Sequence, residues 1–451
     1  MPSTTSTVLE DWGRMVAFTP DVVLRPTSID ELKTMLADAH AAGRRVRVPG
    51  SLHSCAEIVV TDALLDTSGL PKEIVMDADR GGFVATANVR LHDLLAELGT
   101  HGKSLTATGG TDAQTLAGLI STGTAPASSR NSLYEKLEWV ELVTIEAGSG
   151  AAVERRIARG DADWPAVVCS LGVLGVLTRV RFAVVDELYF DVVQEKVLMD
   201  DVLIDLDATS RRYDFWRVNW MPKSRYALLW AATAVPRGES RDDGDYVPDQ
   251  SEQILEFVEK VLDEIADVGP LLDLPLELLY RGMEFAYDPD NRTGPLRNML
   301  PVDRRAPTHV AMAEWSFRPR DIDRVRGACE AYFDAHGWPN IPTEIELTQV
   351  DGSWMSAWGW DDEAYIVKFN FMYLTDVCKQ PGDKEKIFTH LKGLWDHLRD
   401  DARVEFRAHW GKLNFIDPDW VETHSHIEEF RPFVCPVLLN DYIEARIGPA
   451  A

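Results

Sequence analysis

Hydrophobic positions in the first 185 residues follow two alternating rhythms. Ile29, Leu32, Met35, Leu36 and Ala39 recur at the three-and-four spacing that gives a helix one buried face. Ser28 and Glu31 form a capping box at its start, and Gly43 is placed to end it. A short strand, Val46 to Val48, is predicted directly afterwards, and another over Phe83 to Ala87. Leu91, Leu94, Leu95 and Leu98 then mark a second amphipathic helix.

From about residue 186 the pattern changes, and 11 of the 14 tryptophans lie at or beyond Trp216, so the second half reads as a different kind of domain. Alternating runs at 192–198 and 364–374 predict strands, and helices are predicted over Glu252 to Ala266 and Asp321 to Ala335. The acidic stretch Arg237 to Gln250 is expected to be a loop. A length of 451 residues fits two domains better than one, and no internal repeat is evident.

Charge removes several function classes. With 46 basic and 73 acidic residues the net charge is −27, which repels nucleic acid and anionic membranes. The amino-terminal residues lack a basic leader with an apolar core, and Trp164 to Leu177 falls short of the roughly 20 residues a membrane span needs. A cytoplasmic protein is expected. The five cysteines are odd in number, scattered and free of CxxC spacing, so buried thiols are expected rather than disulfides or a zinc site. His424 and His426 have no second ligand cluster, and no metal is expected.

Candidate chemistry begins at VRVPGSLHS, residues 46–54, where Gly50 and Ser51 can turn successive amides toward one anion with His53 just beyond. Small residues crowd again into 106–129, suiting a polyanion laid against main chain, although glycine clusters also mark ordinary tight loops. Neither the phosphate-binding GxxxxGK[ST] nor a strand-linked GxGxxG occurs.

VRVPGSLHS, GGTDAQTLAGLISTGT (109–124), SLGVLGVLTRV (170–180) and HWGK (409–412) together resemble, in that order, the aldonolactone oxidase and alditol oxidase branch of the vanillyl-alcohol oxidase flavoprotein superfamily. The resemblance implies an α+β, two-domain flavoprotein. Residues 1–185 and a returning segment, 401–451, would form the FAD-binding domain, and 186–400 a substrate cap with a mixed or antiparallel sheet. Gly50, Ser51 and Ser54 would belong to the pyrophosphate loop. Gly109, Gly110, Ser121, Thr122, Gly123 and Thr124 would line the flavin cleft, and Gly172, Gly175 and Val176 would bring backbone against the cofactor. His53 stands where the family's histidine bonds covalently to the flavin. Leu52 replaces the usual glycine before it, and Ala125 stands where the family tends to have histidine. No cysteine near 122–129 offers a second link, and Cys55 is expected to be packing.

On the substrate side the resemblance implies Glu344 as the family carboxylate and Lys412 as the family lysine, the two candidate catalytic residues. Lys412 could stabilise an oxyanion or help a hydroxyl proton leave. Strand alternation places Glu344 with Glu346, and Lys368 with Asn370, on common faces. These residues and His409 are the candidate substrate contacts. Glu346 sits where the family has arginine, and two adjacent carboxylates raise each other's pKa unless a cation intervenes. Lys368 could be that cation, or the substrate could bring an amine. Trp354, Trp358 and Trp360 are expected in the core rather than stacked on sugar.

The implied activity is FAD-dependent oxidation of a hydroxyl-bearing carbon of a small polyol, sugar or aldonolactone, with oxygen as acceptor and hydrogen peroxide as product. A dehydrogenase with another acceptor, and a binding protein that keeps the fold without turnover, stand as alternatives. Oligomeric state is not encoded in any motif.

Overall fold

Ser28 accepts a hydrogen bond from the Glu31 amide, while the Glu31 carboxylate accepts from the Thr27 amide and hydroxyl. Helix α1, Ile29–Ala41, therefore starts where its capping residues place it, buries Leu32, Leu36 and Ala39, and gives way to Gly43 at φ +61°. The computed structural model describes residues 7–77, 81–220, 224–237, 290–300 and 308–449. Of the predicted 237–250 loop and 252–266 helix, all but Arg237 lies outside these residues.

The predicted strand at Val46 to Val48 reduces to one parallel bridge, Arg47 with Leu64. Val46 instead donates to the Val437 carbonyl at 2.8 Å, and Pro49 has no amide with which to extend a ladder. Five antiparallel strands follow: β1 (Ile74–Asp77), β2 (Gly82–Thr86), β3 (Leu137–Ile145), β4 (Ala152–Ala158) and β5 (Val176–Ala183), ordered β1-β2-β5-β3-β4. Helices α2 (Leu91–Thr100) and α3 (Leu116–Thr122) share this half, α2 on the predicted leucine face.

The second sheet is antiparallel and eight-stranded. Its strands are β6 (Tyr189–Leu198), β7 (Phe215–Trp220), β8 (Tyr226–Val235), β9 (Asp290–Pro295), β10 (Val310–Phe317), β11 (Thr343–Gln349), β12 (Tyr365–Leu374) and β13 (Arg407–Ala408). They are ordered β9-β6-β8-β7-β11-β12-β10-β13. One face carries Trp315, Phe317, Ile345, Phe369 and Phe371. Helices α4 (Ile322–His336) and α5 (Asp383–Asp396) cover it, with Trp395 edge-on to Trp315 at 5.3 Å and Phe333 edge-on to Phe371 at 6.0 Å. The opposite face carries charge, which a sheet buries only with partners or for a ligand.

After β13 the chain returns to the first half. Cys55 donates its amide to the Gly411 carbonyl at 2.8 Å, and Cys435 donates to Val173 at 2.7 Å. All five cysteines are free. Among the described residues no helix is long and apolar enough to cross a membrane.

Candidate active site

Two depressions meet at His53, sharing Ser54, Gln114 and Thr122 as well. One is a narrow groove in the first half of the chain; the other is a cavity of about 370 Å³ against the charged face of the second sheet.

Gly50, Ser51, Ser121, Gly172, Gly175 and Val176 all line the groove. A side chain at Gly50 would come within 2.9 Å of Thr115 Oγ1, and one at Gly175 within 2.6 Å of Leu142, so these walls accept only bare backbone. Arg47 also lines the groove. Its buried guanidinium donates to the carbonyls of Ile58 (2.8 Å), Leu171 (2.5 Å) and Leu438, and burial lowers its pKa to about 9. Asn88 donates to the carbonyls of Thr67 and Leu70, while its buried Oδ1 has no partner among the described residues. A cradle of backbone, a buried cation and a waiting acceptor fit a dinucleotide such as FAD.

Two predicted flavin contacts are placed differently. Gly123 is the left-handed C-cap of α3, its space bounded by Cys169 and its carbonyl accepting from Trp358 Nε1 at 3.0 Å. Gly109 packs so closely on Thr124 that a Cβ would stand 2.5 Å from it. Neither lines the groove or the cavity, whereas Gly110, Thr122 and Thr124 line the cavity. Leu52 has φ +57°, so the residue before His53 occupies left-handed backbone, where a side chain is strained and glycine is not.

His53 lies beside Trp12, ring centroids 5.6 Å apart. Burial, with Lys412 and Arg90 nearby, lowers its pKa to about 4, so the imidazole is neutral. His409 is also held at about 4, mainly by burial. Its Nδ1 accepts from the Gly411 amide at 3.0 Å, which puts the ring proton on Nε2. Cys55 is buried and its thiol is raised to about 11 by burial.

Register brings the charged face together. Glu344 stands opposite Asn370 and Glu346 opposite Lys368 on β11 and β12, while Arg217 of β7 is opposite Glu346 and Glu314 of β10 opposite Asn370. Lys368 lies 2.5 Å from Glu346 and 3.2 Å from Glu314. Arg217 lies 3.0 Å from Glu344, to which Asn370 donates at 2.8 Å. Burial raises the pKa of Glu344 against the pull of Arg217, with Glu346 adding to the rise. Burial also acts to raise that of Glu314, but Lys368, then His409 and Lys412, outweigh it and lower it. Lys368 is held charged: burial opposes, and Glu346 and Glu314 overcome it.

Both carboxylates of the Glu344/Glu346 pair thus have protein cations, so the reason for expecting a substrate amine disappears. Lys412 lines the same cavity and forms no ion pair among the described residues. Trp358 and Trp360 are buried and, with Trp354, lie off the cavity wall; Trp360 Nε1 donates to Ser316.

Arg217, Asn219, Glu314, Trp12 and Gln114 are cavity residues that the sequence pattern did not single out. A signal existed for three: Arg217 and Asn219 are the polar alternates in the strand FWRVNW, and Glu314 is the only acid in VAMAEWSF.

Residues 20–150 match the FAD-binding domain family, and residues 180–433 match the D-arabinono-1,4-lactone oxidase family. The chain belongs to the D-arabinono-1,4-lactone oxidase family. Bovine L-gulonolactone oxidase is 26% identical over 216 residues, 48% of this chain and 49% of that protein. A long-chain alcohol oxidase from an uncultured marine euryarchaeote is 32% identical over 238 residues, 47% of this chain and 48% of that protein. The chain thus spans about half the length of the curated relatives it matches. The crystal structure of cholesterol oxidase from B. sterolicum superposes with a TM-score of 0.76 at 13% identity, covering 99% of this chain and 97% of that one, which is a likeness of fold. The described helices and antiparallel sheets agree with the α+β class that the four motifs imply.

Proposed function

We propose that this member of the D-arabinono-1,4-lactone oxidase family is an FAD-dependent oxidase acting on a hydroxyl-bearing carbon of a small polyol, sugar or aldonolactone. The supporting observation is Lys412, a cation with no ion pair among the described residues that lines the cavity beside the groove that fits a dinucleotide. Oxidase names among the relatives agree with this reading.

Gly50, Ser51, Gly172, Gly175 and Arg47 would hold the dinucleotide phosphates, with Asn88 Oδ1 accepting one of its hydrogen bonds. Bound FAD supplies a hydride acceptor. Lys412 stabilises negative charge developing on the substrate oxygen, and Asn370, Glu344 and the Nε2–H of His409 orient its hydroxyls. The carbinol carbon becomes a carbonyl; the two electrons and two protons released reduce oxygen to hydrogen peroxide. Neutral His53, with a lone pair on one ring nitrogen, is suited to form the single covalent bond to the cofactor.

The test is purification followed by anaerobic titration with polyols and lactones. A yellow protein that bleaches, and that yields peroxide when air returns, supports the oxidase. A chain that carries no flavin defeats it, and one that bleaches but is not reoxidised by oxygen identifies a dehydrogenase.

A further inference from the structure

The wall of the cavity on the second sheet is divided along its strands. Nearest Ala125 stand Lys368, Glu346 and Arg217, and one residue pair further stand Asn370, Glu344, Glu314 and Asn219. Beyond them the side chains of this sheet turn apolar except for Thr308: Met312, whose carbonyl accepts from the Leu413 amide next to Lys412, faces Met372 in register, with Val310, Ile341 and Pro342 adjoining and Leu228 flanking on β8. Trp12 closes the same end, beside Val310, whose carbonyl abuts Gly13. Apart from Thr308, the far wall of this sheet offers a ligand little to hydrogen-bond.

A fully hydroxylated ligand that filled this end would leave buried hydroxyls without partners and bind more weakly for each one. An aliphatic segment would gain about 0.8 kcal/mol per methylene. Across the cavity as a whole Arg217, Lys368 and Lys412 match Glu314, Glu344 and Glu346 in number, so the polar wall asks for hydroxyls rather than a charged head.

We infer that the preferred substrate is an uncharged amphiphilic alcohol, with a vicinal diol or hydroxylactone head on the Glu344–Asn370–Lys412 side and an aliphatic tail of several carbons along Met312, Met372 and Ile341. The inference rests on the oxidase reading and narrows its substrate class. Met312 and Met372 are its specificity residues, flexible thioethers that adapt to an alkyl chain.

The experiment uses the flavin-loaded wild-type protein and alkane-1,2-diols from three to eight carbons, each set against the fully hydroxylated polyol of the same length. Anaerobic stopped-flow absorbance gives the second-order constant for flavin reduction, and thermal denaturation with each compound gives binding independently of turnover. The expected result is a rise of about fourfold per methylene until the apolar end is filled, with each polyol below its diol. Met372→Gln and Met312→Gln should each flatten that dependence. A constant that is flat or falls with length, or polyols that surpass the diols, overturns the inference while leaving the oxidase standing. Length-dependent thermal stabilisation without any flavin reduction overturns the oxidase and keeps the amphiphile site; neither response from any compound overturns both.

Discussion

Lys368 and Glu346 stand opposite each other on neighbouring strands with 2.5 Å between ammonium and carboxylate, and the same lysine reaches Glu314 at 3.2 Å. Removing the lysine leaves two buried carboxylates without their main cation. Lys368→Met is expected to cost about 3–5 kcal/mol of stability, and adding Glu314→Gln and Glu346→Gln should recover much of it. Urea unfolding of the single and triple variants measures both; equal midpoints for wild type and Lys368→Met would refute the coupling.

Lys412 has no carboxylate partner among the described residues and faces the cavity, so its charge is available to a reacting oxygen. Lys412→Met should keep bound flavin but slow anaerobic flavin reduction by about 10²–10³, the usual cost of losing one oxyanion donor. A reduction rate within twofold of wild type would assign the lysine to structure alone.

Leu52 holds a left-handed backbone at φ +57°. Relieving that strain should outweigh the lost side-chain contacts and the added unfolded-state freedom, so Leu52→Gly is expected to raise stability by about 1 kcal/mol. A scanning calorimeter would see this as a higher Tm; a lower one contradicts it.

Covalent attachment through His53 predicts that acid-precipitated protein stays yellow, whereas His53→Ala precipitates white and leaves its colour in the supernatant. If wild type also releases all its colour, the bond does not form.

Buried His409 has a folded pKa of about 4 against an ordinary 6.5, with His53 shifted in the same direction. Between those values the unfolded chain takes up protons that the folded chain refuses. The contribution of the neutral imidazole is therefore complete above about pH 6.5 and is lost as pH falls toward 4, on the order of 3 kcal/mol for His409. Unfolding free energies of wild type and His409→Gln, measured from pH 7.5 to 4, should converge toward the acid end; parallel curves would contradict the shift.

The helices starting at Ile29 and Leu91 were legible because capping and periodicity are local, and motif order singled out Gly50, His53, Glu344 and Lys412, which line the groove or the cavity. Val46 to Val48 misled because a β-rich triplet cannot reveal that its amide will bond Val437 from the far end of the chain. Arg217 escaped for a related reason. The sheet order places β7 beside β11 although more than a hundred residues separate them, so the guanidinium that answers Glu344 belongs to a strand no local window would pair with it. Gly109 and Gly123 lie off both depressions, because small residues at a close packing contact and at a helix end look the same in sequence as those that line a groove.

The amide of Cys55 is tied to the carbonyl of Gly411, so the two sides of the cavity come from segments far apart in sequence. During synthesis the turn carrying His53 leaves the ribosome long before its counterpart carrying Lys412. The groove, lined by residues 47–177 alone, can therefore take shape before the cavity of about 370 Å³, which is complete only once His409, Gly411 and Lys412 have been added to its wall.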